Sequence, residues 1–573
     1  MSKLIKRENG TIVHKSPWDF DVTKIPESNL VDFIFSTPGY QENLADPNHQ
    51  LYIDGTDSTH YLTVKQHQDL VGRIAYLLKN KFSINVGDTV CLFLTNSIYL
   101  PSIHLGILSA GAVISPANIA YLPKELHHQL NITKAKIIIS LESLLPIAEK
   151  AVNDLSPVEV QNIIPFKDFI SLIKDERIPP SPPIKFTGEE SQHRHAYYCF
   201  SSGTSGVPKG VITSHYNIVS NITQHQISVR GKIYKPNNTY SAILPMSHIY
   251  GISVFIYSIP SMYKTKIIVF EKFHLETLLQ KIGEHGISFL HVVPPMAVLL
   301  AKSPVLEKYL SSVKKNLKGL ITGAAPLSKS LIDEISVRLD NGIEITQSYG
   351  LTETSPTTTF ASYTESGTEY DVESCGWLLP GLEARLVDEN GKDIEDFGFE
   401  NRGEVWFRGP NVMKGYLRNP EATKDAFDDT GEWLRTGDVG VVTKDGQWYI
   451  VDRFKELIKS KSHQVAPTEL EGILLKHHEV ADAAVAGIYL PDKGTELPRA
   501  FIVPASNSID PLAIKAWFDD QVARYKQLWG GVVVVEKIPK SPSGKILRRL
   551  LQQRKNDEVF GYLAGSIKTS QKL

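Results

Sequence analysis

At 573 residues the chain is too long for one core and should divide into a few domains. Its 61 Lys and Arg stand against 63 Asp and Glu, so no overall charge draws it to nucleic acid or to an anionic membrane. Cys91, Cys199 and Cys375 are scattered and odd in number, which excludes a disulfide framework and a cysteine-rich zinc site and favours a reducing compartment.

The first residues carry charges where a signal peptide needs an apolar core, and no run approaches the ~20 apolar residues of a membrane span. Residues 1 to about 60 are rich in proline and turn formers, ending at the turn signal Asp54-Gly55. Leu62 to Asn80 then reads as a helix, with Leu70, Ile74, Leu77 and Leu78 recurring on one face. Strand and helix alternate from there: Thr89 to Leu94 as a strand, Tyr99 to Leu108 as a helix, Gly111 to Ser115 and Lys136 to Ser140 as strands. The pattern is α/β with a largely parallel sheet. Four prolines between Ile178 and Pro183 stop regular structure, and the alternation resumes to about residue 350.

Within that second run lies a hydroxyl- and glycine-rich stretch, Ser201 to Gly210, entered by the strand His195 to Phe200 and left by Val211 and Ile212 towards a helix near Ser214. Gly203 and Gly206 remove the Cβ that would block close backbone approach, Ser201, Ser202, Thr204 and Ser205 add hydroxyl donors, and Lys209 adds positive charge. Those are the needs of a polyphosphate. The spacing is not that of a Walker A loop, so ATP hydrolysis of the P-loop type is not implied. From Gly376 onward strands are separated by turns, Glu383 to Val387, Glu404 to Arg408, Gly440 to Thr443 and Trp448 to Val451, which predicts a β-rich subdomain. The last 120 or so residues predict a compact α+β unit with a helix opened by Pro467 and the strand Val532 to Val535.

Four more stretches have the composition of site loops. Ser241 to Gly251 ends an apolar segment on His248. Gln347 to Thr354 offers the Tyr349 ring, the Thr352 hydroxyl and the Glu353 carboxylate, a set able to stack a purine, bond a phosphate and hold Mg²⁺ through one carboxylate plus phosphate oxygens. Trp433 to Asp438 supplies a carboxylate suited to ribose hydroxyls, and Ile538 to Ile546 places Lys545 after a rigid, turn-forming run.

In this order the motifs resemble one family, the acyl-adenylate-forming (AMP-binding) superfamily, in its 4-coumarate:CoA ligase-like and acyl-CoA synthetase branch, with firefly luciferase as a relative. Further carriers are Thr322 to Pro326, Gly403-Glu404, Gly409-Pro410, Val451 to Lys459 and Gln464 to Pro467, so that the resemblance runs from near residue 50 to about 550. It implies a large N-terminal adenylation domain, residues 1–452, built of two α/β sheets plus the β-rich subdomain, and a small mobile C-terminal domain, residues 453–573, that carries the catalytic lysine.

The resemblance also implies roles. Ser201, Ser202, Gly203, Thr204, Ser205, Gly206 and Lys209 would hold the β and γ phosphates of ATP. Gly323, Ala324, Ala325 and Tyr349 would frame adenine; Thr352 would touch the α phosphate and Glu353 the Mg²⁺. Asp438, helped by Arg453, would hold the ribose. Lys545 would bridge the incoming carboxylate and the α phosphate, with His248 beside the acyl pocket. Lys461, Ser462 and Gln464 would line the path of coenzyme A once the C-terminal domain has turned; the family usually has glycine where this chain has Ser462. The implied reaction is acid to acyl-adenylate with release of pyrophosphate, then acyl-CoA and AMP, on an aryl propenoic or medium-chain fatty acid. Transfer to a carrier thiol or to oxygen, and a non-catalytic nucleotide-binding protein, are the alternatives. Pocket walls are expected from Tyr250 to Phe255, His291 to Pro295, Thr322 to Pro326 and Ser348 to Ser355. The tripeptide Gln571-Lys572-Leu573 resembles the S-K-L peroxisomal address, departing from it at Gln571; it would make an import receptor a partner and the peroxisome the location, with the cytoplasm as the alternative.

Overall fold

The computed structural model describes residues 3–562 except 8–9, 154–155, 188, 202–207, 229–235, 263, 341, 362–369, 454–455, 461–462, 491–494, 507–508, 542–543 and 555–556. The expected phosphate-loop residues Ser202 to Gly206, the pair Lys461-Ser462 and the tripeptide 571–573 therefore lie outside the described residues.

Two largely parallel sheets form the α/β body. The first has six strands, with Thr89–Phe93 between Val113–Pro116 and Ala135–Ser140, and ends in the antiparallel hairpin His195–Ser201 and Lys209–Ser214. The second has nine; Phe289–Val292, Gly319–Thr322 and Glu344–Gly350 run side by side and parallel in its middle. Both are covered by helices, which is why their strands read as continuous apolar runs such as Ile137, Ile138 and Ile139, all fully buried. Helix Val64–Asn80 starts at a capping box in which Thr63 Oγ accepts from Gln66 N and Gln66 Oε1 accepts from Thr63 N. It buries Leu70, Ile74, Leu77 and Leu78 on the expected face.

The β-rich subdomain is a six-stranded antiparallel sheet through Glu383–Val387, Gly403–Arg408, Leu434–Val442 and Trp448–Arg453. One feature corrects the sequence reading. The N-terminal stretch is not only turns, because Lys3–Lys6 and Ile12–Lys15 pair and add two strands to this sheet, Lys15 opposite Glu383. Helices Leu30–Ser36 and Pro38–Ala45 follow. Lys3–Lys6 pairs with Ile12–Lys15, and Ile12–Lys15 takes its other partner from Glu383 and Ala384, hundreds of residues away, so these four-residue runs carry little local signal.

The C-terminal residues fold on their own core. Helix Pro467–Leu474 and helix Pro511–Asp519 pack Leu470, Leu474, Ile514 and Phe518 against Val485, Ile502 and Val532 of a three-stranded sheet. Among the described residues no helix is long and apolar enough to cross a membrane.

Three buried histidines join layers of the large body. His67 Nδ1 lies 2.7 Å from Ser102 Oγ, His104 Nδ1 lies 2.9 Å from Tyr197 OH, and His215 Nδ1 accepts from Leu30 N at 3.1 Å. Burial pushes each of them down to about 3. Their folded pKa lies below the unfolded value near 6.5, so on acidification the unfolded chain takes up protons that the folded chain refuses. Stability should hold above pH 7 and fall as pH drops from 6.5 towards 4, by up to about 1.4 kcal/mol per pH unit for each histidine. Urea denaturation followed at half-unit steps of pH checks this; a flat midpoint between pH 7 and pH 5 would contradict it.

Candidate active site

The three sheets meet at one edge. Because Phe289–Val292, Gly319–Thr322 and Glu344–Gly350 are parallel neighbours, their carboxyl ends line up, and the chain leaves them at Val293, Gly323 and Leu351 along one rim. Crevices beyond the carboxyl ends of parallel strands are where α/β sheets bind ligands. The hairpin of the first sheet approaches this rim, and the expected phosphate loop joins its two strands, Ser201 standing opposite Lys209.

Glu353, in a short turn of 3₁₀ helix Thr352–Thr354, is the joint between them. Its Oε1 accepts from Ser201 Oγ at 2.8 Å and from Tyr416 OH at 2.9 Å. The Lys209 ammonium lies 4.9 Å from the centre of the Tyr416 ring, a cation–π distance. Burial of the Tyr416 ring, and after it the Glu353 carboxylate, push the phenol well above its usual pKa, so it stays a donor. Tyr416 was not singled out in the sequence, where only Gly409-Pro410 marked this stretch. Its signal was a glycine-tyrosine pair in a loop with no helical or strand period. The structure zips that loop between the other parts: Met413 N donates to Glu353 O, Lys414 N to Ile212 O, and Leu417 N to Gly210 O. Asn411 and Asn217 tie its start to Thr354, Thr357 and the helix His215–Ser228.

On the other side, Tyr349 OH donates to Asp438 Oδ2 at 2.6 Å, and Asp438 is 3% exposed. Of the stretch Trp433 to Asp438, all but Trp433 lies in strand Leu434–Val442. Thr436 Oγ accepts from Asp438 N at 3.0 Å, and Glu404 Oε1 accepts from Gly437 N at 2.8 Å, fixing the carboxylate's backbone. Arg453 closes the next strand, its Cα directly opposite that of Asp438. Gly323, Ala324 and Ala325 form the turn after Gly319–Thr322, with Ala324 in the left-handed region at φ 74°. Gln347 clamps that turn, accepting from Leu327 N and donating to Leu327 O. Gly323 faces Ser348 and Tyr250. A planar base would thus meet a flat backbone turn and an aromatic side chain, with a buried carboxylate beside it.

His248 caps the short helix Ile249–Ile252, its Nδ1 accepting from Tyr250 N at 3.3 Å. Burial pushes it down to about 4, so it is neutral at pH 7 and its proton sits on Nε2, available as a donor. A turn of π helix, Ser253–Ser258, follows and widens the spacing of side chains around a small cavity. Tyr250, Ser253, Val254, His291 and Ser348 line it as expected; Ile321, His225 and Phe360 join from strand Gly319–Thr322, helix His215–Ser228 and strand Thr357–Phe360, outside the expected wall, while the expected turn Thr322 to Pro326 is not part of this lining.

Lys545 sits on a tight loop in which Ser541 N donates to Lys545 O and Lys545 N to Ser541 Oγ. The loop reaches the same rim, its Gly544 packed on Val293 and Pro295. Gln464 is elsewhere, in the small hairpin Ile458–Ser460 and His463–Val465, where its Cα faces Lys459. That hairpin is tied to the C-terminal sheet through Lys459 N to Glu496 and Thr495 Oγ to Lys459 O. The structure therefore brings Ser201, Lys209, Gly323 to Ala325, Tyr349, Thr352, Glu353 and Asp438 to one rim together with the Lys545 loop, and holds Gln464 with the C-terminal sheet.

A family model described as AMP-binding enzyme matches residues 41–417, and one described as AMP-binding enzyme C-terminal domain matches residues 469–545. The chain is 35% identical over 484 residues to the 4-coumarate–CoA ligase 3 of Arabidopsis thaliana, covering 83% of both chains. It is 32% identical over 556 residues to the phenylacetyl-CoA ligase epaB of Aspergillus niger, covering 93% of this chain and 98% of that one. The crystal structure of ATP-bound MatB from Rhodopseudomonas palustris matches with a TM-score of 0.77 at 25% identity, over 91% of this chain and 98% of that one.

A hydrogen bond to a charged group contributes about 1.5–3 kcal/mol. Tyr416→Phe, which leaves the ring and removes only the donor to Glu353, should lower carboxylate-dependent pyrophosphate release by about tenfold or more while the melting temperature stays within a few degrees. An unchanged rate would show that the phenol is idle.

Proposed function

We infer that this chain, which belongs to the AMP-binding enzyme family, is an AMP-forming carboxylic acid:CoA ligase. It would join its acid to AMP from ATP, releasing pyrophosphate, and then pass the acyl group to the thiol of coenzyme A. The observation that carries the reading is the convergence of the Glu353 joint, the Tyr349–Asp438 pair and the Lys545 loop on one rim, although they come from four distant parts of the chain.

A carboxylate attacking the α phosphorus brings two anions together, so positive charge and donors must be in place before the attack. Lys545 would supply charge at the bond being made, and Lys209 would hold the pyrophosphate that leaves. Asp438 would accept the ribose hydroxyls, with Tyr349 fixing its orientation. Among the described residues no cluster of three or more acidic, histidine or cysteine side chains could cage a metal. One carboxylate, Glu353, plus phosphate oxygens is the donor set Mg²⁺ accepts, and that ion would supply charge neutralisation at the phosphates. Exchanging coenzyme A for the departing AMP calls for a different arrangement of the C-terminal unit, one that brings Lys461, Ser462 and Gln464 to the rim.

For the acid, the cavity favours an aryl group carrying a neutral polar substituent over a plain alkyl chain. His291 is 1% exposed; its Nδ1 is 3.3 Å from Tyr250 OH, and its Nε2 has no partner among the described residues. Burial pushes His291 to about 3 and His225 to about 4, so neither is charged at pH 7. An alkyl chain would leave the imidazole unpaired, which costs about 1–3 kcal/mol, whereas a ring hydroxyl can pair with it. The relatives named for 4-coumarate and phenylacetate point to aryl acids too.

A pyrophosphate-release screen of aryl and alkyl acids, run with and without coenzyme A, separates the two half-reactions and ranks the acids. Release with no acid in the panel would overturn the ligase reading. His291→Leu should lower kcat/KM for a hydroxylated aryl acid by about tenfold and leave its unsubstituted counterpart within about twofold, since tenfold corresponds to ~1.4 kcal/mol. Equal losses on both acids would remove His291 from the recognition of the substituent.

A further inference from the structure

Helix Pro294–Lys302 holds the C-terminal unit at both of its ends. At its start, Gly544 of the Lys545 loop lies so close that a Cβ on it would sit 3.0 Å from Val293 Cγ2 and 3.3 Å from Pro295 Cδ. Gly544 also has φ +81°, a left-handed conformation that favours glycine, so both backbone and space demand that residue there. At the helix's other end, Lys302 Nζ donates to Leu475 O at 2.7 Å and to Val480 O at 3.3 Å. Leu475 caps the carboxyl end of helix Pro467–Leu474, where a cation meets unpaired carbonyls and the negative end of the helix dipole.

The lysine's base is fixed on the large body. Arg338 donates to Leu300 O, Ala301 O and Ser303 O, closing the last turn of the helix that carries Lys302. Beyond Val480 the link continues to the other lysine. Asp482, two residues on, is bonded to Lys540 Nζ at 2.6 Å, and Lys540 pairs with Ile546 across the loop that presents Lys545. One helix of the large body therefore touches the Lys545 loop directly at one end and, at the other, grips the strand that anchors it. Its grip is made of two neutral carbonyls, with Glu334 and Asp482 near enough to act on the ammonium only through space. Such a contact favours one arrangement without locking it.

We propose that Lys302 is a positioning residue of the first half-reaction, a latch that seats the C-terminal unit so that Lys545 faces the rim and that lets go for the second. The proposal rests on the ligase reading for its two half-reactions, but the latch itself has a readout that needs no substrate. Cys91, Cys199 and Cys375 are buried, so Val337→Cys and Tyr489→Cys, at positions 69% and 61% exposed on the large body and the C-terminal unit, can be labelled selectively for distance measurement in the full-length protein. The distance distribution should be narrow in the parent, broaden in Lys302→Met, which keeps the apolar stem, and narrow again in Lys302→Arg. In unlabelled protein, Lys302→Met should slow acid-dependent pyrophosphate release by about tenfold, while thioester formation from supplied acyl-adenylate and coenzyme A is unchanged or faster; Lys302→Arg should recover most of the loss. An unchanged distance distribution in Lys302→Met overturns the latch. So does an equal fall in both half-reactions, the mark of a general structural role. A changed distribution in a protein that adenylates no acid leaves the latch standing and removes the ligase reading instead.

Discussion

Glu353 holds the site together. A single carboxylate oxygen accepts from Ser201, at the end of the hairpin of the first sheet, and from Tyr416, in the connection between strands Gly403–Arg408 and Leu434–Val442 of the β-rich sheet, while Glu353 itself sits in the turn that follows strand Glu344–Gly350 of the second sheet. The three sheets share one apolar core, which takes in Ile114, Tyr240 and Val405, and the carboxylate pins their common edge at the site. Placing a carboxylate at their junction has a cost in desolvation, which the two hydroxyl donors offset in part. The same charge makes the junction the place where a cation and phosphates can be accommodated. Structural joint and candidate metal ligand are thus the same group, and the sheets cannot slip without moving the ligand.

Much of the fold was legible because buried parallel strands and amphipathic helices leave strong periodic traces. Ile137 to Ile139 and the helix from Val64 read correctly within a residue or two, and so did Glu383–Val387 between its turns. What stayed hidden depends on partners far along the chain. Ile12–Lys15 is a strand because Glu383 and Ala384 lie beside it, Lys3–Lys6 pairs with it in turn, and nothing within their four residues announces that. Tyr416 escaped for a related reason. Its loop has no period of its own, and its shape is set by hydrogen bonds to Gly210, Ile212 and Glu353. The glycine- and hydroxyl-rich loop, Tyr349, Glu353 and Asp438 were visible as residue types suited to a nucleotide; their hydrogen-bonded pairing was not. His225 and Phe360 entered the cavity wall through a helix and an antiparallel strand whose inward faces only the packing determines.

The C-terminal unit poses a different physical problem, since it has to carry Lys545 to the rim without deforming. Its answer is a buried ion cluster. Arg548, three residues after Lys545, donates to both oxygens of Glu471 at 2.8 Å and to Glu456 at 2.7 Å, and its Nε donates to Val485 O. Burial pushes Glu471 up to about 7 even though Arg548 beside it pulls the other way. A cluster of this kind adds little net stability over an apolar core, because desolvation consumes most of the Coulomb gain, but it tolerates only one geometry. It joins the segment after Arg453, the helix Pro467–Leu474, the strand Val480–Leu490 and the helix Arg548–Gln552, so these parts move together or not at all.

That rigidity decides how the two bodies can be coupled. If the Lys545 loop were soft, contacts elsewhere on the C-terminal unit would have no influence on where its ammonium points. With the loop braced by Lys540 on Asp482 and by Arg548 on Glu471, a few contacts at the far side of the unit are enough to set its position. The helix Pro294–Lys302 is well placed to make them, because it continues directly from the strand that puts His291 into the cavity. Any displacement of that strand would pass along the helix to both contacts with the C-terminal unit. Geometry therefore connects the cavity wall with the helix that touches the C-terminal unit at both ends, and it does so through covalent neighbours rather than through a chain of weak side-chain contacts.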